Sequence, residues 1–259
     1  PVVSTQNSTV DFDIVNIVVE TDLYQATFTN NGGKLVSWKL KNFLDPFGHW
    51  VELLGPGGSG LGLSLSNKPL NSIQFIPDKV NLFLSGSEQG VLTLSGMTEF
   101  GPIEKKIRFQ GDRYRMELSL SMPENIGNPN LGIIWTGGLA DTEGSLGEDA
   151  GFYSSDYNQI VTYSGGEVEF WNVERINGEE RPPSGQVSWV GVRNKYFLAT
   201  IIPPEGRHEI HLQGKIEASG AKNFITEIVT ELGQFQLNWG IYIGPISYEI
   251  LRRQNIDLF

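Results

Sequence analysis

The chain has no cysteine, which removes disulfides, iron–sulfur clusters and thiol chemistry from consideration. It leaves the compartment open, because 259 residues with six Trp, eight Tyr and fourteen Phe can build a core that needs no covalent staples. Histidine is scarce: His49, His208 and His211 are the whole supply, and they match no H-E-x-x-H zinc spacing. Positive charge is scarce as well, with 19 Lys plus Arg against 30 Asp plus Glu and a formal net charge of −11. A nucleic-acid partner is therefore not expected, since phosphate backbones select basic faces. Docking onto anionic lipid is disfavoured for the same reason. No apolar run approaches the ~20 residues of a membrane span. An initiating Met and a signal-peptide pattern are missing too, so the chain reads as a processed or excised piece.

What is plentiful is punctuation between short apolar runs. The 31 glycines in 259 residues exceed the ~7% of average usage, and 13 prolines accompany them. The densest apolar stretch runs from Val187 to Ile202, broken at Arg193-Asn194-Lys195 and closed by Pro203-Pro204. β-Branching and the closing prolines predict two central strands, Val187–Val192 and Tyr196–Ile202. Other strands are expected around this pair. Leu23–Thr29 and Lys34–Leu40 flank Asn30-Asn31-Gly32-Gly33, a hairpin signal, and Ile103–Gln110 and Tyr114–Met122 flank Gly111-Asp112-Arg113. Further strands are expected at Ile17–Glu20, Ile73–Ile76, Asn81–Ser85, Val91–Gly96, Ile133–Gly137, Ile160–Tyr163, Val168–Val173, Glu209–Leu212, Ala221–Ile228 and Gln234–Ile243. Pro1–Asn16 is polar and reads as a leader.

Only one segment reads as a helix. After Gly244, Pro245 suits a first helical turn, and Ile246, Ile250 and Leu251 fall on one side, with Arg252 and Arg253 in the last turn. A helix of about ten residues is expected there.

Chemical motifs fail on their contexts. Gly55-Pro56-Gly57-Gly58-Ser59-Gly60 has the letters of a dinucleotide fingerprint, but Leu61–Ser66 after it alternates like a strand, and that motif needs a helix. Asp141, Glu143 and Ser145 are spaced like calcium ligands, yet the loop's sixth position lacks glycine and its twelfth is Phe152. His208 and His211 read as surface residues. No catalytic residue, cofactor or metal ligand is expected. A partner surface is placed in Asp141–Ser184, where an acidic loop accompanies Phe152, Tyr153, Tyr157 and Trp171.

Three stretches in order carry a resemblance. They are Glu20–Leu35 around Tyr24-Gln25-Ala26-Thr27-Phe28, then Trp189-Val190-Gly191-Val192 with Lys195-Tyr196-Phe197 and Ile201-Ile202-Pro203, then Tyr242-Ile243-Gly244-Pro245 before the helix. Together they resemble the large periplasmic domain of bacterial YidC-type membrane protein insertases. The resemblance implies an all-β, antiparallel β-supersandwich, galactose mutarotase-like, at 17–243, with a short C-terminal helix at 244–259 linking to the membrane part. It implies one membrane helix before Pro1, five after Phe259, and a place on the periplasmic face of the inner membrane. The implied partners are SecD and SecF of the Sec translocon and client inner-membrane proteins. The implied role is non-catalytic help in insertion and folding. The alternative is a carbohydrate-binding or mutarotase-like sugar epimerase domain, which would need a carboxylate and histidines converging in a cleft.

Overall fold

The computed structural model describes residues 13–123, 130–142, 158–178, 181–216, 222–231 and 236–253. Strands β1 (Asn16–Glu20), β2 (Tyr24–Thr29) and β3 (Leu35–Leu44) form an antiparallel meander, and Gly32 and Gly33 turn the β2–β3 hairpin at φ +71° and +58°. β4 (Trp50–Glu52) folds back on β3, β5 (Ser59–Leu65) pairs beyond it, and β6 (Lys68–Pro69) caps β5. β7 (Ile76–Pro77) and β8 (Asn81–Phe83) are short edge strands. The long hairpins follow: β9 (Gln89–Thr98), β10 (Gly101–Gln110), β11 (Arg115–Ser121) and β12 (Asn130–Thr136).

The second half adds β13 (Gln159–Ser164), β14 (Glu167–Trp171), a helical turn α1 (Val173–Ile176), β15 (Val187–Arg193) and β16 (Phe197–Ile202). It closes with β17 (His208–Ile216), β18 (Lys222–Glu231), β19 (Gln236–Pro245) and the helix α2 (Tyr248–Arg253). One sheet has ten strands, ordered β17-β18-β12-β5-β3-β2-β1-β8 with β4 and β6 attached. The other has nine, ordered β14-β13-β15-β16-β19-β11-β10-β9-β7. Among the described residues every strand pairing is antiparallel except β1 with β8.

The sheets bury alternate residues against one another. Ile17 and Val19 of β1, Tyr24, Ala26 and Phe28 of β2, and Ile103, Ile107 and Phe109 of β10 all lie in the core. Phe28 meets Phe109 edge to face at 6.1 Å, joining the two layers. One inward position of β10 is not apolar. Lys105 is fully buried, and its ammonium reaches across the core to the carbonyls of Gly33 (2.8 Å) and Leu61. Leu61 holds a left-handed φ of +56°, which turns its carbonyl out of the β5 ladder. Burial pushes the Lys105 pKa down to about 7.

The predicted central pair is adjacent within the nine-stranded sheet, in register Val190↔Ile201 to Arg193↔Leu198. Tyr196 stays outside the ladder. The polar break is a tight turn in which the Asn194 amide oxygen accepts from the N–H groups of Tyr196 (3.0 Å) and Phe197 (2.8 Å). Leu61–Leu65 is strand, as the failed nucleotide motif implied.

Several boundaries moved. Ile73–Ile76 contributes only Ile76 to a strand, because Phe75 drops into the core and its N–H goes to Asn30. Strand β14 stops at Trp171 rather than Val173, because Asn172 caps α1 by accepting from the Arg175 N–H at 2.8 Å. A hairpin was missed between β9 and β10, where Thr98 faces Gly101 across Glu99-Phe100 and Gly101 takes φ +114°. Pro245 is the last residue of β19, opposite Phe197, not the start of the helix. Tyr242 explains the shift: its hydroxyl donates to the Pro245 carbonyl at 2.7 Å and holds the strand straight through it.

Candidate functional site

The C-terminal segment is welded to one end of the sandwich. Ile246 donates its N–H to the Tyr196 carbonyl (2.7 Å), and the Leu251 N–H reaches the Ser247 carbonyl (2.9 Å) to open α2. Leu251 is buried, and Ile246 and Ile250 pack half-buried against the core. The predicted apolar face, Ile246, Ile250 and Leu251, therefore meets the sandwich together. Arg113, in the β10–β11 turn, clamps the far end of α2 by donating to the Arg253 carbonyl at 2.6 Å. That carbonyl belongs to a helix's last turn, where a cation is favourable.

An aromatic column lies within this end. Tyr24 stacks on Trp38 at 3.8 Å, and Tyr114 stands 6.4 Å from Tyr24 and 6.3 Å from Tyr242. Burial raises the pKa of all three tyrosines, and for Tyr114 the Asn42 side chain opposes the rise. Gly244 is required here, because a Cβ would stand 2.9 Å from the Tyr114 ring and 3.0 Å from the Tyr242 hydroxyl. The rings therefore bridge both sheets directly behind the strand that leads to α2.

The predicted partner surface does not survive for its one described member. Trp171 is a core residue: its indole N–H donates to the Thr162 hydroxyl at 3.1 Å, and the Arg175 guanidinium lies 3.8 Å over its ring. An aromatic at a strand end, between Phe170 and Asn172, looks the same in sequence whether it faces in or out. Phe152, Tyr153 and Tyr157 lie outside the described residues.

The histidines separate. His208 is buried rather than on the surface, with its ring nitrogens 3.0 Å from the Thr230 hydroxyl and 2.8 Å from the Pro204 carbonyl. Burial lowers its pKa, opposed by the Pro204 contact. His211 points outward on the ten-stranded sheet between two carboxylates, 3.2 Å from Glu227 and 3.6 Å from Glu209. Glu227 also takes the Ser64 hydroxyl as a donor. That bond crosses β12 at Gly132, where a Cβ would collide with both Ser64 and Glu227. His211 is thus one histidine between two carboxylates on an outer face, whereas the sugar epimerase alternative asks for histidines and a carboxylate converging in a cleft. Both of its ring nitrogens already face the protein's own carboxylates. No group of His, Asp and Glu able to hold a metal ion occurs among the described residues.

A feature that sequence reading missed is the β3–β4 hairpin tip. Phe43, Leu44, Asp45 and Pro46 line a groove of about 490 Å³ together with Val51, Thr142, Tyr196 and Phe197. The signal was present in Asp45-Pro46-Phe47-Gly48, a turn sequence carrying an aromatic at its tip.

Two large, mainly antiparallel sheets packed face to face define the class, a galactose mutarotase-like β-supersandwich. A galactose mutarotase-like protein from Lactobacillus casei superposes with a TM-score of 0.51 at 10% identity, covering 89% of this chain and 99% of that one. An alpha-N-acetylgalactosaminidase from Bifidobacterium bifidum gives 0.52 at 8% identity, covering 92% of this chain and 38% of its own. Likeness at this level concerns the fold alone.

The particular family comes from sequence: the model for the YidC periplasmic domain matches residues 16–259, and the chain belongs to that family. It is 27% identical to a membrane protein insertase YidC from Chlorobium phaeovibrioides and 25% identical to one from Chloroherpeton thalassium, over 93% of this chain in each case. The chain spans 44% of the length of these relatives. No helix among the described residues is long and apolar enough to cross a membrane.

Proposed function

We propose that this chain is the non-catalytic periplasmic part of a membrane protein insertase, and that it assists the insertion and folding of inner-membrane proteins. Its work is accessory: holding a position beside the membrane, and contacting SecD and SecF of the Sec translocon or emerging segments of client membrane proteins. The supporting observation is the docking of α2. Leu251 sits in the core, the Arg113 clamp holds the helix end, and β19 carries α2 directly from the centre of a sheet. A helix held at both ends passes on the orientation of the sandwich to whatever follows it. In this reading 244–259 is the link to the membrane part, and Pro245 as the strand end with Ile246, Ile250 and Leu251 as the docking face support it.

The test is made in an intact insertase carrying this domain. Residues 17–243 are deleted while 244–259 are retained, and client insertion and growth are measured. Near-normal activity supports the accessory reading. Loss of activity with the membrane part folded and at normal abundance assigns client handling to the sandwich itself. Separately, Ser at Ile246, Ile250 and Leu251 is expected to impair insertion, and unchanged insertion would sink the role of the helix.

A further inference from the structure

Two Asn-Gly pairs occur in the chain, Asn31-Gly32 and Asn177-Gly178. This dipeptide carries a chemistry of its own. Glycine has no side chain to block the approach, so its amide nitrogen can reach the asparagine side-chain carbon and close a five-membered ring. The two pairs share that intrinsic reactivity, and the fold decides which of them reacts.

The first pair is locked. Gly32 is buried, and its N–H donates to the Ile73 carbonyl at 2.8 Å. The Asn31 side-chain oxygen accepts from the Gln74 amide at 3.3 Å, and the two residues form a β-bridge across the end of the hairpin. Both parties to the ring closure are thus held by one neighbouring segment, Ile73-Gln74.

The second pair is open. Asn177 and Gly178 are both exposed. The Asn177 side chain makes no hydrogen bond among the described residues. The Gly178 N–H reaches the Arg175 carbonyl at 3.2 Å, the long end of the normal range. The remaining restraint is α1. Asn177 ends that helical turn at φ −83° and ψ −3°, with its own N–H directed at the carbonyls of Val173 and Arg175. This ψ sets the Gly178 nitrogen beside the Asn177 nitrogen and away from Cβ, which it must eclipse for the ring to close. A turn of four residues is too short to hold itself, so α1 depends on buried Val173 and on the Asn172 cap. Its C-terminal end can open without disturbing the sheets.

We infer that Asn177-Gly178 is a site of spontaneous modification, where the backbone converts an amide into a carboxylate and α1 sets the rate. The Gly178 nitrogen gives its proton to solvent base and bonds to Asn177 Cγ. The side-chain nitrogen leaves as ammonia, and a succinimide remains. Water then adds to either ring carbonyl. Cleavage between Cγ and the Gly178 nitrogen gives aspartate, and cleavage between the backbone carbon and that nitrogen gives isoaspartate, with the chain rerouted through the side chain. Either product puts a new negative charge at the C-terminal end of α1, where the helix carbonyls disfavour it. The reaction needs only the chain and water, so it stands apart from the insertase reading.

The chain is kept in mildly alkaline buffer made with heavy-oxygen water, folded in one series and unfolded in urea in another, and its proteolytic peptides are weighed over time. In the folded series the Asn177 peptide is expected to exchange its amide for an acid carrying one heavy oxygen. It should separate into two products of equal mass, of which the isoaspartyl form alone is methylated by protein isoaspartyl methyltransferase. The Asn31 peptide should stay unchanged. In urea both peptides should convert at similar rates. Asn172→Ala removes the cap of α1 and should speed conversion at Asn177 about fivefold in the folded chain, with no effect in urea. Gly178→Ala should slow it in both series.

Equal rates at Asn31 and Asn177 in the folded chain overturn the inference. An Asn177 peptide that keeps its amide when folded, while urea converts it, does the same. A product containing aspartate alone also overturns it, because direct hydrolysis of the side chain yields no isoaspartate. An unchanged folded rate in Asn172→Ala sinks the control by α1.

Discussion

Lys105 and Glu227 are both ionisable side chains set into strands of a large sheet, and they are held in opposite ways. Lys105 points inward between Ile103 and Ile107 and has only backbone carbonyls for partners, on the facing sheet. Glu227 points outward, keeps 16% of its side chain exposed, and binds Ser64 and His211 within its own sheet. The first ties two layers together in a place water cannot reach. The second ties three strands of one layer in a place where water competes. Lys105 therefore holds the spacing of the two sheets, and Glu227 accompanies strand pairing on the outer face.

The sharpest way to break the contrast is Lys105→Ala. It opens a cavity and leaves the Gly33 and Leu61 carbonyls unpaired, so a loss of about 3–5 kcal/mol is expected. Lys105→Met refills most of the volume and should lose about 1–3 kcal/mol, from the carbonyls alone. Urea midpoints at an unchanged slope measure both.

Next in size is a pH dependence. Folded Lys105 titrates at about 7, whereas an unfolded lysine titrates near ~10.4. Between those limits the unfolded chain binds a proton that the folded chain does not. Stability should therefore rise with pH through that window and level off below its lower end, by an amount on the order of a few kcal/mol. The slope should disappear in Lys105→Met, and a parallel slope in that variant would show that other groups cause it.

Gly132→Ala tests the outer face. Its methyl group must displace the Ser64–Glu227 bond, costing about 1–3 kcal/mol. His211→Ala should cost least, under about 1 kcal/mol and less in salt, because exposed pairs contribute little. A larger loss there would mean that the outer cluster carries more of the fold than its exposure allows.

Much of this architecture could be read from the residues. The Asn30–Gly33 and Gly111–Arg113 turns announced their hairpins, and Val187–Ile202 stood out as a pair of interior strands because most of its residues are buried. What could not be read has a common cause. Trp171, His208 and Lys105 sit at strand positions where the side chain's destination depends on distant partners: Thr162, Thr230 and Leu61. Ile250 and Leu251 fall on the helix, but Ile246 precedes it, and neither that nor the boundary at Pro245 was legible, because the Tyr242 hydroxyl that extends the strand acts through the fold. The exposed rings at Leu44–Trp50 escaped notice because a loop aromatic carries no periodicity.

The position of β19 has a mechanical consequence. It lies between β11 and β16, paired to one by seven residues, from Arg115↔Tyr242 to Ser121↔Gln236, and to the other by six, from Phe197↔Pro245 to Ile202↔Gly240. A pull applied through α2 runs along this strand and loads both ladders in shear, so their hydrogen bonds share the force and must yield together. An edge strand such as β8 pulled the same way would have only one ladder to share the load. The sandwich is thus gripped at its middle, and tension arriving through its C-terminal helix moves the domain as one body before it unravels any part of it.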